Sequence, residues 1–306
     1  MNTVIDTSLT EQLHGRRTDR KGMVFHGLLL LAMFCSLAIL VTLVARLMAS
    51  GLHVLTECGC TFFGSGTAAD PKNAGIWQGM WGSAIVGLIV VLVAFPIGLG
   101  AAIYLEEYAH QSRLTRFIVV NVRNLAGVPS VVYGLLGLAL FVETFGSVTG
   151  GSSVLSAGLI TAILVLPIVI ITASEAIRAV PRGLREAGFG VGATQWEVTR
   201  DHVLPYAAPG ILTGTVLALA RALGEAAPAL LVGALTGFFT TAPDASVVDR
   251  LQGKFTVLPV VTFDWSRKPD DAFRDNAAAA SLVMLAIVLV ASSVAIVLRN
   301  RYEKRR

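Results

Sequence analysis

The sequence predicts an all-α integral membrane protein with six transmembrane helices, and three properties support this fold class. First, 54% of its 306 residues are hydrophobic and 14% are charged, whereas soluble domains carry about 25% charged residues. Second, its apolar runs reach the roughly 20 residues that a helix needs to cross a bilayer. Third, these runs are continuous and do not alternate in polarity, which favours helices over the strands of a membrane barrel.

Six apolar windows separated by polar segments define the predicted spans. They cover approximately residues 23–48, 82–105, 125–145, 154–176, 206–235 and 275–298. Pro96 lies inside the second window and predicts a kink, because proline lacks the N–H of a regular helix. The fifth window is longer than a straight crossing requires. Small residues such as Gly100 and Gly158 predict close packing between helices.

A short amphipathic stretch separates the second and third windows. Residues 109–124 place Arg113, Arg116 and Arg123 around the apolar stretch that begins at Phe117. This mixture predicts a helix at the membrane surface that leads into the third span.

The distribution of Lys and Arg predicts that both termini are cytoplasmic. With the N-terminus inside, sixteen of the 24 Lys and Arg residues lie in cytoplasmic segments and six in outer loops. This bias is the one that orients membrane proteins. It also explains the net charge of +4 without a nucleic-acid partner. The predicted organisation is a cytoplasmic tail (1–22), a membrane domain (23–298) and a basic cytoplasmic tail (299–306).

Residues that commonly perform catalysis or bind metals do not cluster in the sequence. The five histidines are scattered, and no set of zinc-type ligands accompanies them. No Walker A sequence is present, so any ATP used must be bound by another polypeptide. Cys58 and Cys60 are spaced too closely for the usual metal sites, and we expect this pair to be functionally silent. A disulfide between them is the alternative if their loop faces outward. We therefore expect a non-enzymatic chain that binds no cofactor itself.

The polar segment 177–205, between the fourth and fifth windows, is the first informative feature. It predicts two short helices joined at Gly192, since glycine adopts backbone conformations that other residues resist. Glu186 is expected early in the first helix, where negative charge is favoured. Pro205 is expected at the start of the fifth span, where its missing N–H costs little. An ordinary amphipathic connector is the alternative interpretation.

This segment resembles the EAA loop of ABC-importer permeases, which reads Glu-Ala-Ala, three residues, Gly, nine residues, Ile-x-Leu-Pro. The positions in register are Glu186, Ala187, Gly192, Leu204 and Pro205. Two positions depart, with Gly188 in place of the second alanine and His202 in place of the isoleucine. The resemblance implies a type I ABC-importer permease fold and a coupling helix that inserts into a cleft of a separate ATPase subunit, which binds ATP and Mg.

Two charged residues within the fifth window are the second informative feature. Arg221 and Glu225 are spaced i and i+4, so in a helix they share one face and can pair. Charges at membrane depth face a bundle interior or a watery cavity. The pair is therefore either a structural lock or part of a solute pathway, in which the planar fork of arginine suits an oxyanion. We expect a further, interfacial pair between Glu175 and Arg178.

Four strings narrow the resemblance to phosphate-specific permeases of the PstA type. They are residues 102–109, 124–138, 220–228 and 255–259. The resemblance runs from about residue 80 to the end. It implies a bacterial cytoplasmic-membrane subunit that forms half of a translocation pathway for inorganic phosphate. The implied partners are a second related permease, a dimer of ATP-binding subunits, an extracytoplasmic phosphate-binding protein and the membrane lipid.

Other functions remain open at this point. Within the importer class, the solute could be sulfate, molybdate or phosphonate. A secondary transporter would instead use Glu225 as an ion-coupling carboxylate and would need no ATPase. A membrane-embedded enzyme would require clustered His, Asp or Glu side chains, which the sequence does not show.

Overall fold

The computed structural model describes residues 20–57, 59–110, 112–235 and 251–303. All regular secondary structure in these ranges is helical, which confirms the predicted all-α class. The chain divides into two compact units, Met1–Leu47 and Met48–Arg306. Of the predicted tails and outer loop, residues 1–19, 236–250 and 304–306 lie outside the described residues, as does Cys58.

The α-helices of the described part are, in chain order, α1 (Arg20–Glu57), α2 (Gly59–Gly64), α3 (Trp77–Ile103), α4 (Arg113–Ala126), α5 (Ser130–Gly137), α6 (Gly146–Thr149), α7 (Val154–Arg178), α8 (Arg182–Gly190), α9 (Gln195–Val198), α10 (Leu204–Gly224), α11 (Ala227–Val232), α12 (Leu258–Arg267) and α13 (Asp271–Glu303). Wider π-helical turns follow three of them, at Tyr104–Tyr108 after α3, Leu138–Thr144 after α5 and Thr199–Val203 after α9.

In the first unit, the described part is the N-terminal portion of α1. Its apolar side chains, including Phe25, Phe34 and Ile39, are exposed around the helix. A helix that is hydrophobic on all faces is typical of a membrane span.

In the second unit, α7 is the central helix. It packs against α3, α10 and α5, and its residues Ile160 and Val165 are fully buried in the main apolar core. Gly158 permits the close approach of α3, since a Cβ atom there would lie 2.6 Å from Cδ1 of Ile89. Gly100 does not serve this purpose, because a Cβ atom there would have no neighbour within 4 Å. The expectation of tight packing is therefore wrong at Gly100 but holds at Gly158, and it also holds at Gly87, Gly98, Gly134, Gly137 and Gly214, where a Cβ atom would lie within 3.2 Å of another side chain.

Five described helices are long and apolar enough to cross a membrane, and a bent helix pair provides a sixth candidate. The pair is α4 with the segment Ser130–Thr144, and the two meet at 100°. The predicted third span therefore begins at Ser130 rather than near residue 125. Pro129 precedes the new helix, and the residue before a proline is disfavoured in a helix. The helix expected within residues 109–124 is α4, and its location at the membrane surface stays a prediction.

The fifth span differs most from its predicted form. We expected one crossing over 206–235, but α10 ends at Gly224 and Glu225 is extended, with φ −86° and ψ 112°. A short helix, α11, then begins with Pro228 in its first turn. Proline cannot donate the hydrogen bond that would continue α10, so the excess length of the apolar window reflects a broken helix.

Candidate functional site

Two places in the second unit hold the residues singled out from the sequence. The first is the segment 177–205, which forms α8, a turn, α9 and a π-helical turn. Gly192 lies in the turn with φ +86°, a conformation that favours glycine. Thr194 caps α9, its hydroxyl accepting from the Glu197 N–H while the Glu197 carboxylate accepts from the Thr194 N–H. The prediction of two helices joined at Gly192 is confirmed.

The position of Glu186 corrects one expectation. It is the fifth residue of the nine-residue helix α8, so the helix N-terminus does not explain its charge. Its side chain is exposed, and it forms no hydrogen bond or ion pair with the residues that the structure describes. The neighbouring Ala187 is also exposed. Leu204 and Pro205 open α10, as expected.

Three large apolar side chains around this turn were not singled out from the sequence. Phe189, Val191 and Trp196 are 50%, 84% and 52% exposed. We call them, together with Glu186 and Ala187, the docking patch. Exposed apolar patches on a folded surface mark interaction sites. The sequence signal was weak, because these residues lie in a polar segment without a continuous apolar run.

The two positions that depart from the EAA pattern meet in space. Gly188 is buried, and a Cβ atom there would lie 2.8 Å from Cγ2 of Val198 and 3.4 Å from Cδ2 of His202. The absence of a side chain at 188 therefore makes room chiefly for Val198, while the His202 ring would lie at the edge of ordinary van der Waals contact.

Arg185 ties this segment to the ends of α3 and α7. Its Nη2 donates to Oε1 of Glu107 at 2.7 Å and to the Ile177 carbonyl at 2.9 Å, while Nη1 donates to the Val180 carbonyl at 2.8 Å. The Glu107 side chain is 8% exposed and that of Arg185 is 20% exposed. The Gln195 side-chain amide also donates to the Glu107 carbonyl. We call Arg185, Glu107 and Gln195 the clamp.

A second ion pair joins the same two helices beside the clamp. Arg178 donates from Nη2 to Oε1 of Glu106 at 2.7 Å and from Nε to Oε2 at 3.1 Å. The expectation that Glu175 pairs with Arg178 is therefore wrong, because Glu106 binds the Arg178 guanidinium through both carboxylate oxygens. Sequence spacing could not identify Glu106 or Glu107 as partners, since they lie 72 and 78 residues away.

The second place is the end of α10. The structure brings Arg221 and Glu225 together, with 3.5 Å between Nε and Oε1 and with side chains 44% and 22% exposed. Because Glu225 lies beyond the end of α10, the pair spans the helix break. The expectation that both side chains share one helix face is therefore wrong. Arg221 continues an exposed stripe of α10 that contains Tyr206, Thr213 and Leu217, at helical spacing.

Comparison with known proteins identifies the family. The family of "Binding-protein-dependent transport system inner membrane component" proteins matches residues 94–306. The chain belongs to this family. The permease is 30% identical to "Phosphate transport system permease protein PstA 1" of Mycobacterium tuberculosis (strain CDC 1551 / Oshkosh) over 87% of its own length and 84% of that protein. It is 31% identical to "Phosphate transport system permease protein PstC" of Mesorhizobium japonicum over 79% and 81%.

A solved structure shows the same fold at lower identity. The permease resembles a chain of a bacterial alginate ABC transporter with a TM-score of 0.64 and 15% identity, covering 90% of the permease and 93% of that chain. This likeness confirms the predicted type I ABC-importer permease fold. The docking patch, the clamp and the Arg221–Glu225 pair all lie inside the region that matches the family.

Among the described residues, no three His, Cys, Asp or Glu side chains are placed to hold a metal ion. The functional candidates among the described residues are therefore the ion pairs and the docking patch.

Proposed function

We propose that this permease is a transmembrane subunit of an ATP-driven importer of inorganic phosphate. The observation that carries the proposal is the exposed guanidinium of Arg221 on a membrane helix. The choice of phosphate is supported by the PstA and PstC relatives, which are named as phosphate transport permeases and match most of the chain.

In this proposal, Arg221 faces the solute pathway. A charged side chain exposed to lipid at membrane depth costs about 2.5–3.5 kcal/mol or more, so its exposed stripe is expected to face water or a second permease. The guanidinium fork matches the oxygens of a phosphate ion. At 3.5 Å, Glu225 neutralises Arg221 only in part, which favours weak binding and release of the anion. The extended backbone at Glu225 lets this carboxylate move without unwinding a helix.

Coupling to ATP hydrolysis takes place at the docking patch. Its apolar side chains suit a cleft in a separate ATPase subunit, which would bind ATP and Mg, and this chain itself performs no bond chemistry. Glu186, Ala187 and Gly192 form the contact and its turn, while Leu204 and Pro205 begin α10, which leads to Arg221. The clamp would pass a displacement of the turn to α3 and α7, because it joins all three elements.

The assembly that this function requires has four other components. They are a second related permease that supplies the other half of the pathway, two ATPase subunits and an extracytoplasmic phosphate-binding protein. The permease itself is a multi-pass protein of the bacterial cytoplasmic membrane, and the charge count supports cytoplasmic termini.

Uptake of labelled phosphate at low external phosphate tests the proposal. Cells that lack the gene should lose this uptake, and restoring the gene should recover it even with a protonophore present while ATP is maintained. Uptake that stops at once with the protonophore would indicate a secondary transporter that uses Glu225. Normal phosphate uptake in the deletion strain, with loss of sulfate or molybdate uptake, would reassign the solute.

A further inference from the structure

The helix α4 is held less firmly than the helix on which it packs. No residue of α4 is buried, whereas its neighbour α7 has an extensive buried side. Extended backbone precedes α4, with φ −72° and ψ 127° at Ala109 and φ −120° and ψ 167° at Ser112. At its other end α4 is tied to α5, because the Tyr133 hydroxyl donates to the Leu125 carbonyl at 2.9 Å. Elements with few buried contacts move at low cost, so α4 can pivot about the end that Tyr133 holds.

A cleft separates α4 from α7 and from the end of α3. Val119 and Val122 line it from α4, and Ile170 and Ile171 line it from α7. Four charged residues also line it, and they are Glu106, Arg123, Glu175 and Arg178. Two positive and two negative charges make a neutral set, so the cleft selects neither an anion nor a cation. Apolar walls with balanced charges are instead suited to contact each other.

One of the two ion pairs that these four groups can form together is present. The Arg178 guanidinium holds Glu106, with distances of 2.7 Å and 3.1 Å. Arg123 and the carboxylate of Glu175 form no ion pair or hydrogen bond with the part of the chain that the structure describes. Both side chains are exposed. An arginine of α4 and a glutamate of α7 therefore line the same cleft from its two walls, and the contact between them is open.

We propose that α4 is a strap that closes on α7 by pairing Arg123 with Glu175. Closure adds a second ion pair beside that of Arg178 with Glu106 and brings the apolar walls of the cleft together, which removes their surface from water. The gain from the ion pair is modest, since an exposed pair changes an equilibrium by about fivefold at most. A modest difference between two states leaves both of them populated, as an element that opens and closes repeatedly requires.

The strap begins directly after the clamp. Glu107 of the clamp and its neighbour Glu106 lie in the π-helical turn Tyr104–Tyr108, and a short joint at residues 109–112 leads from this turn into α4. In the proposed function, on which this step alone rests, a displacement of the clamp passes through the joint and selects the open or the closed strap.

Disulfide formation across the cleft tests the proposal. The cysteine pair V119C/I171C is placed on the two apolar walls of the full-length permease, in a background without the native cysteines and in nanodiscs, and its rate of oxidation is measured. R123Q and E175Q should each slow the reaction roughly threefold, because each removes the pair that closes the strap. The charge swap R123E/E175R should recover most of the rate, whereas R123E alone should be slower still. R113Q is the matched control, since it removes an arginine of α4 that does not line the cleft.

Equal rates with the native charges, R123Q and E175Q would overturn the proposal. So would a charge swap that oxidises as slowly as R123E alone. A loss of rate in R113Q equal to that in R123Q would show that the net charge of α4, and not this pair, governs closure.

A second measurement covers the case in which cysteines on the cleft walls prevent folding. Spin labels at V120C and A179C occupy exposed positions of α4 and of the end of α7, and the distance between them should be shorter with the native charges than in R123Q. Identical distance distributions would contradict the strap. Neither measurement requires ATP or phosphate, so a negative result would leave the proposed transport function standing.

Discussion

The clamp and the Arg221–Glu225 pair are both arginine–glutamate contacts, yet they are built in opposite ways. In the clamp, the Arg185 guanidinium lies 2.7 Å from Glu107 and also donates to two backbone carbonyls, and both side chains are largely buried. In the membrane pair, one contact of 3.5 Å joins two partly exposed side chains across a helix break. In the proposed function, the clamp transmits movement and has to stay bound, whereas Arg221 has to leave Glu225 when it binds the anion.

The largest expected effect comes from breaking the clamp with Glu107→Ala. This change leaves the largely buried Arg185 without its carboxylate, and removal of one partner from a buried ion pair costs about 3–5 kcal/mol. We expect a lower free energy of unfolding for the purified permease in detergent and a loss of phosphate uptake. A variant with wild-type stability and uptake would show that the clamp does not hold the segment in place.

The turn of the docking patch should respond more moderately to Gly192→Val. A non-glycine residue with positive φ is strained by about 1–2 kcal/mol, so the turn is expected to shift and co-purification of the ATPase subunit to decrease. The matched control is Gly183→Val, which adds the same side chain in α8, where φ is not positive and no atom lies within 4 Å. Equal ATPase recovery from both variants would contradict a special role for the turn.

The smallest effect is expected from Glu106→Ala, which removes the neighbouring pair. Arg178 is 58% exposed, and exposed ion pairs contribute about 0–1 kcal/mol. Stability should therefore remain close to that of wild type, well above that of Glu107→Ala. If Glu106→Ala destabilised the permease as much as Glu107→Ala, the exposure of the arginine partner, 58% for Arg178 and 20% for Arg185, would not be what distinguishes the two pairs.

Local features of this molecule followed from the sequence, and contacts between distant segments did not. The apolar windows predicted the membrane helices, and glycine at 192 predicted the turn, because both depend on neighbouring residues. The sequence predicts Glu175, three residues away, as the partner of Arg178, because spacing along a helix can be read directly. Its actual partner, Glu106, belongs to the end of α3, and only the packing of α3 on α7 brings it close.

The break at Glu225 shows a second limit of the sequence. The window 206–235 is apolar on both sides of Glu225, so hydropathy alone favoured one long span. Gly224 and Pro228 flank the break and were the available signal, because glycine weakens a helix and proline cannot continue one. The roles of Arg221, Glu225 and Glu186 in transport stay predictions, since they depend on partners beyond this chain.

The most direct test of the proposed transport function measures phosphate accumulation and ATP hydrolysis together in proteoliposomes that contain the assembled importer and its binding protein. With Arg221→Ala, we predict that phosphate no longer accumulates, while the ATPase subunits still assemble with the permease and hydrolyse ATP. Phosphate accumulation at the wild-type rate in this variant would contradict the account and would remove Arg221 from the pathway.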